Sequence, residues 1–265
     1  MRVLITGGAG LVAGHLLRSA PSDADVHVTW RRTPARHGVH AHQLDLADSS
    51  AVQSLFDSVQ PEAVVHTAYS QSSRADVVDA SVNVAEAAAA CGARLVHLSS
   101  DMVFGGDSAP YDETAVPAPV NDYGTWKLEA ERLVLEHVPG AVLTRTSLVV
   151  SSDPLDHQAA WLSRALGAGE SVTLFHDEYR TPVRADDLAT ILWDLAMGRE
   201  AGVIHVAGPE RLSRADIGLR CAADLGLAAD LVQAASAANH PEPRPRDLSL
   251  ASIRLPNSAT RPIGW

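Results

Sequence analysis

The sequence predicts an α/β fold, a Rossmann-type doubly wound parallel sheet with a smaller C-terminal substrate-binding lobe. Three observations predict it. Short runs rich in Val, Leu and Ile alternate with segments of helical spacing over the first 150 residues, and such alternation means parallel strands joined by right-handed crossovers. A glycine cluster, Gly7-Gly8-Ala9-Gly10, falls between the first apolar run and the first helical segment, where a βαβ unit takes up a dinucleotide. The chain has 265 residues, 46% hydrophobic and 20% charged, enough to bury a full core without disulfides or metals.

The elements follow in order. Residues 3–6, 26–30, 63–67, 95–99, 142–145 and 203–207 are short apolar runs that read as buried strands, and 41–46 is a weaker strand. Helical spacing covers 11–19, 51–59, 77–91, 123–137 and 185–197. Asp48-Ser49-Ser50 introduces the second of these helices, and Ser213 is the expected N-cap of a further one at 215–225. Regularity weakens after residue 150: 151–154 form a loop, glycines at 167–169 break a helix, and three prolines in 239–245 require an extended loop. The expected division is a dinucleotide-binding domain over 1–150, joined by a helix and strand returning at 183–207. The rest of 151–265 forms the second lobe.

Composition excludes several trades. The chain carries 32 acidic and 21 basic side chains, a net charge of −11, which repels phosphate backbones and anionic membranes. Neither nucleic acid nor membrane is an expected partner. Cys91 and Cys221 make no disulfide framework and no CxxC pair. The N-terminus runs straight into a strand, and no apolar stretch approaches ~18 residues, so a soluble, cytoplasmic protein is expected.

The glycine turn carries the cofactor reading. Gly7 and Gly10 let the backbone approach a pyrophosphate, and the helix opened by Leu11 and Val12 offers it unpaired N–H groups. Ala13 is small enough for close helix–strand packing. After the second strand, where an acid would hold the ribose of NAD, the chain has Arg31 and Arg32. Guanidinium groups suit a 2′-phosphate, so NADP(H) is preferred, with NAD(H) still admissible. The competing reading is a solvated basic turn.

Twenty arginines accompany a single lysine, Lys127. It follows Tyr123 by four residues, which puts both side chains on one helix face. A phenol with a pKa near ~10 is a poor proton donor at neutral pH, and an adjacent ammonium favours the phenolate. Ser100, at the carboxyl end of a parallel strand, is placed to hold a carbonyl oxygen. An amphipathic surface helix and a plain Ser-Ser-Asp turn are the competing readings. In His37-Gly38-Val39-His40-Ala41-His42 two histidines at i,i+2 share a strand face, but no cysteine or HExxH partner accompanies them, and no metal is expected. His66 and His97 lie in core strands, where local hydrogen bonds are expected to satisfy them.

Together these residues resemble the extended short-chain dehydrogenase/reductase family, and within it the dTDP-4-dehydrorhamnose reductase branch. The similarity spans residues 6–10, Asp45-Leu46, 99–104, 123–127, 145–147, 180–182, 187–189, 205–208 and Arg244-Pro245. The resemblance implies Ser100, Tyr123 and Lys127 as the catalytic set, Asp45 and Leu46 beside adenine, and Ala68 among the cofactor residues. It places Ser100, Asp101, Arg180, Arg244 and Arg246 at substrate, the arginines as partners of a nucleotide diphosphate. Leu148-Val149-Val150 departs from the branch's aromatic pair, and Met102 stands for its tyrosine.

The implied activity is NADPH-dependent reduction of a keto group on a nucleotide-activated 4-keto sugar or related carbonyl compound, in deoxysugar biosynthesis. The resemblance leaves room for a homodimer. Two alternatives stay open. One is a non-catalytic NADP-binding regulatory subunit, similar to the regulatory β subunit of methionine adenosyltransferase; the other is a sugar-nucleotide epimerase retaining NAD+.

Overall fold

A computed structural model of the chain describes residues 1–34, 40–240 and 244–265. In chain order the elements are β1 (Arg2–Thr6), α1 (Leu11–Arg18), β2 (Asp25–Trp30), β3 (His40–Gln43), α2 (Ser49–Val59), β4 (Ala63–His66), α3 (Ala80–Cys91), β5 (Arg94–Ser100), α4 (Asp122–His137) and β6 (Val142–Thr146). There follow β7 (Val149–Val150), α5 (His157–Gly167), β8 (Val172–Phe175), β9 (Tyr179–Arg180), β10 (Val183–Arg184), α6 (Ala185–Met197), β11 (Gly202–Val206), β12 (Leu212–Ser213), α7 (Arg214–Asp224) and β13 (Val232–Ala235). A π-helical turn, Ala75–Asp79, leads into α3. None of the helices among the described residues is long and apolar enough to cross a membrane.

Seven strands form a parallel sheet in the order β11-β6-β5-β4-β1-β2-β3, the doubly wound arrangement the alternation predicts. Strand order reverses between β1 and β4, which puts the glycine turn at the switch point. The central strands are apolar on both faces because helices cover both: Val3, Leu4, Ile5, Val64 and Val65 are fully buried. β3 is the exception. It lies at the sheet edge with the sequence His40-Ala41-His42-Gln43, largely exposed, and a polar edge discourages further pairing. Residues 37–39, which include His37, lie outside the described set, as do Pro241 and Pro243 of the proline-rich segment.

Helix α2 begins where its cap requires: Asp48 Oδ1 accepts from Ala51 N at 3.1 Å. It buries Val52, Leu55, Phe56 and Val59, one face at helical spacing. At α7, Ser213 and Asp216 form a reciprocal capping box. Of the two core histidines, His66 is satisfied by Thr6 Oγ1 (2.9 Å) and Ser81 Oγ (3.2 Å). His97 is not: both of its ring nitrogens are buried without a hydrogen-bond partner, and the ring stacks on His66 at 5.2 Å. Burial holds both imidazoles neutral, His66 down to about 3.

The chain divides into two compact units. The first comprises residues 1–100, 122–145 and 188–204, and the second 101–121, 146–187 and 205–265. Residues 101–121, which the sequence groups with the first domain, make their contacts in the second unit. The second unit is thus three excursions of chain, leaving after β5, after β6 and late in β11. Its pairings are short: β7 with β10, β9 with β12, and β8 with β13. Leu162, Leu166, Leu174 and Cys221 sit in its core.

Candidate active site

The first unit holds the glycine turn. Gly7 has φ +77°, and a Cβ added there would stand 3.0 Å from the Ala68 Cα, so both the turn and the close approach of the neighbouring strand require glycine. Gly10 N donates to Gly7 O at 2.8 Å and Gly8 N to Thr29 O at 2.7 Å, which closes the turn and ties it to β2. Gly10 is also the N-cap of α1. No side chain caps that helix and its first turn carries no acid, so its leading N–H groups suit a phosphate.

Beside the turn is a cavity of about 390 Å³. Gly7, Gly10, Arg31, Arg32, Asp45, Leu46 and Ala68 line it, seven of the residues the sequence assigns to the cofactor. Leu11, Val12, Tyr123 and Lys127 do not line it; the first two open α1 and the others belong to α4. Trp30, Tyr69 and Asp76 line it too, and the sequence reading missed them. A glycine cradle that any Cβ would fill, an uncapped helix start and a cavity beside both fit a dinucleotide.

Asp76 changes the view of Arg31. The guanidinium donates twice to the Asp76 carboxylate, at 2.6 and 2.8 Å, and approaches Asp45 at 3.3 Å. That contact holds the Asp76 carboxyl below its usual range and the guanidinium firmly charged. Arg32 is exposed.

Lys127 is 3% exposed. Its Nζ donates to Leu98 O at 2.9 Å and stands 5.5 Å from the centre of the Tyr69 ring. Burial lowers its pKa to about 8, against the pull of Glu131 one turn on. The Tyr123 ring lies 6.1 Å from that of Tyr69, tilted by 47°, so Tyr69 adjoins both predicted catalytic side chains. Ser100 closes β5 two residues beyond the carbonyl that holds Lys127. One strand end therefore positions both the hydroxyl and the ammonium. Glu131 also receives both arms of Arg145, at 2.9 and 2.7 Å.

A buried ammonium opposes folding. Lys127→Met is expected to raise stability at pH 7 by ~1–3 kcal/mol, or several degrees in Tm. Because the folded pKa lies below the usual 10.5, the unfolded chain holds more protons between about pH 8 and 10.5. Wild-type stability then recovers with rising pH in that window. Thermal melts of both proteins across it should show the gap closing; a gap independent of pH would refute a buried charge.

In the second unit, Asp101 is buried, accepts from Ser147 Oγ at 2.8 Å and faces Arg180 Nε at 3.7 Å. Arg180, expected at a phosphate, is instead 5% exposed and donates to Glu178 at 3.0 Å. Glu178 accepts from Arg244 as well, at 2.8 Å, and its carbonyl accepts from Arg214 N at 2.9 Å. Burial, then the neighbouring Arg180, lowers the Arg214 pKa. The guanidinium groups of Arg180 and Arg244 thus meet two carboxylates, of Asp101 and Glu178, within whose electrostatic reach Arg214 also lies. Arg246 is exposed nearby in sequence. Arg214 and Glu178 escaped the sequence reading, whose signal was the alternation in Glu178-Tyr179-Arg180. The departure at 148–150 has a structural reason: Leu148 packs with Val150, Ile217 and Ile263, and β7 pairs with β10.

The RmlD substrate binding domain family model matches residues 1–259. The chain is 33% identical to methionine adenosyltransferase 2 subunit beta of Pongo abelii over 236 residues, 80% of this chain and 69% of that protein. It is 29% identical to the probable low-salt glycan biosynthesis reductase Agl14 of Haloferax volcanii, over 93% of this chain and 88% of the relative. A solved structure from Sulfolobus tokodaii, a hypothetical dTDP-4-dehydrorhamnose reductase, superposes with a TM-score of 0.85 at 25% identity, covering 99% of this chain and 100% of the other. The glycine turn at the switch point, the Tyr-x-x-x-Lys face of α4 and the nearly full-length match lead to one conclusion: the chain belongs to the RmlD family of extended short-chain dehydrogenase/reductases, which are NAD(P)-dependent oxidoreductases.

Proposed function

We propose that the protein is an NADPH-dependent reductase of a keto group on a nucleotide-activated 4-keto sugar or a closely related carbonyl compound. The single observation that carries this is Lys127, the chain's one lysine, buried at the end of β5 with its ammonium on Leu98 O. A buried ammonium opposes folding unless it serves a partner, and a proton donor one helical turn away is a partner whose phenolate it would favour.

Bound nicotinamide supplies the hydride. Tyr123 gives the proton to the carbonyl oxygen, Lys127 favours the phenolate that results, and Ser100 donates to the same oxygen as charge grows there. Gly7, Gly10 and the start of α1 take the pyrophosphate, with Asp45 and Leu46 on the adenine side. On the second unit, the surplus cation among Arg180, Arg214 and Arg244 suits a nucleoside diphosphate. In this reading Arg244, whose side chain is 34% exposed, meets the ligand and buried Arg180 holds Glu178 in place.

Titration of the purified protein with NADPH and NADH, then an optical assay of cofactor oxidation over a panel of keto-sugar nucleotides, tests the reading. Selective NADPH binding with turnover of one member is expected; binding without turnover of any would refute the reductase. The likeness to methionine adenosyltransferase 2 subunit beta favours one second reading, a cofactor-binding regulatory subunit. A stable heteromeric partner and no turnover would support it.

Cofactor choice has its own test. Asp76 competes with a 2′-phosphate for Arg31, so Asp76→Asn is expected to shift the NADPH/NADH affinity ratio about two- to fivefold toward NADPH. Fluorescence titration of both cofactors reads it, and a shift toward NADH would remove Arg31 from the specificity argument.

A further inference from the structure

The alternating histidines of β3 adjoin a single histidine, His27, on β2. The parallel register pairs His27 with His40, and Asp25 precedes them on the same face of β2, two residues before His27. Asp25 Oδ1 lies 3.5 Å from His27 Nε2 and 3.7 Å from His40 Nε2. The three ligand atoms all fall within 4.8 Å of one another. A tetrahedral ion with Zn–N and Zn–O bonds of ~2.0–2.1 Å needs donor–donor edges of about 3.3 Å, and two of the edges are already close to that. The His40 ring is 69% exposed and stacks on His27 at 4.7 Å, so solvent leaves it room to turn its Nε2 toward the other two.

The surroundings fit a ligand set better than a chance cluster. Arg2 Nε donates to Asp25 Oδ2 at 3.0 Å, which turns Oδ1 toward the two imidazoles. His27 Nδ1 is hydrogen-bonded to His42 Nε2 at 2.9 Å. Metal-ligating histidines as a rule bond their other ring nitrogen to an outer acceptor, which fixes the tautomer with the ligating nitrogen free of its proton. The Arg2 guanidinium is the charge that opposes a dication here.

We propose that Asp25, His27 and His40 form a binding site for a divalent cation of imidazole preference, Zn2+ being the representative, with His42 as the outer partner of His27. Two imidazoles and one carboxylate select zinc-like ions over Mg2+ and Ca2+, which require oxygen ligands. The site joins β2 to the edge strand β3 at the amino ends of both. The cavity residues Arg31 and Asp45 follow the carboxyl ends of the same strands, so the ion takes no part in hydride transfer. Its effect is to fasten the sheet edge.

The test uses full-length protein without a polyhistidine tag, stripped with chelator and titrated calorimetrically with ZnCl2. Wild type is expected to bind one equivalent that excess MgCl2 does not displace, and His40→Ala and Asp25→Asn to weaken it at least about tenfold. Both substitutions lie on exposed side chains, and circular dichroism verifies the fold. Zinc is also expected to raise the Tm of wild type and not that of His40→Ala. Absence of zinc binding by wild type, or an isotherm unchanged in both variants, overturns the proposal. No cofactor or substrate enters the measurement, so its outcome is independent of the reductase reading.

Discussion

Tyr123→Phe is expected to lower kcat for the keto sugar by about 10²–10⁴-fold, the range contributed by a positioned general acid. Affinity for NADPH should stay within about twofold, since a hydroxyl that acts only as proton donor contributes to the transition state and not to cofactor binding. The Phe ring keeps the contact with Tyr69 and the packing among Val77, Val78 and Ala130. Steady-state kinetics with cofactor titration separates the two effects. A variant with near wild-type kcat would sink the mechanism, and parallel loss of cofactor affinity would assign Tyr123 a binding role instead.

The largest loss of stability is expected at Glu131. Its carboxylate is 3% exposed, takes both arms of an Arg145 that is 4% exposed, and is the acid that raises the pKa of buried Lys127. Glu131→Ala deprives two buried cations of one carboxylate. Breaking a buried pair from one side costs about 3–5 kcal/mol, which corresponds to a fall in Tm of roughly 10 °C or more for a chain of this size. The companion variants carry the argument. Glu131→Met with Arg145→Met removes the pair from both sides and should recover part of the loss, and adding Lys127→Met should recover more. Chemical denaturation of the set measures the coupling. A Glu131→Ala protein as stable as wild type would show that water, not Glu131, solvates these cations.

Much of this architecture is legible in residue order because the physics is local. Val3, Leu4 and Ile5 are an unbroken apolar run, which a strand covered on both faces demands, and the glycines directly after it mark the turn. Tyr123 and Lys127 are legible because four residues make one helical turn. What escaped depends on distant partners. Asp76 reaches Arg31 across 45 positions, and nothing local to either announces the pair. Tyr69 adjoins Lys127 only once β4 lies beside β5. Arg180 reads as a phosphate partner until the fold brings Glu178 and Asp101 to it, and two-residue strands such as β9 and β12 have no period to detect. His97 was placed in the right strand, yet its lack of a partner is a property of the packed sheet.

The sheet's strand order also has a consequence for the protein while it is being made. β4 and β5 are synthesised before β6, and 41 residues separate Ser100 from Val142, among them the first excursion into the second unit. At ~5–20 residues per second of translation, β5 stays an open edge for about 2–8 s. During that interval the nascent chain presents Leu95, Val96 and Leu98 with no strand on their outer side, a template for pairing with another chain. A Pro or charge introduced on that strand is therefore expected to alter the yield of folded chains before it alters their activity.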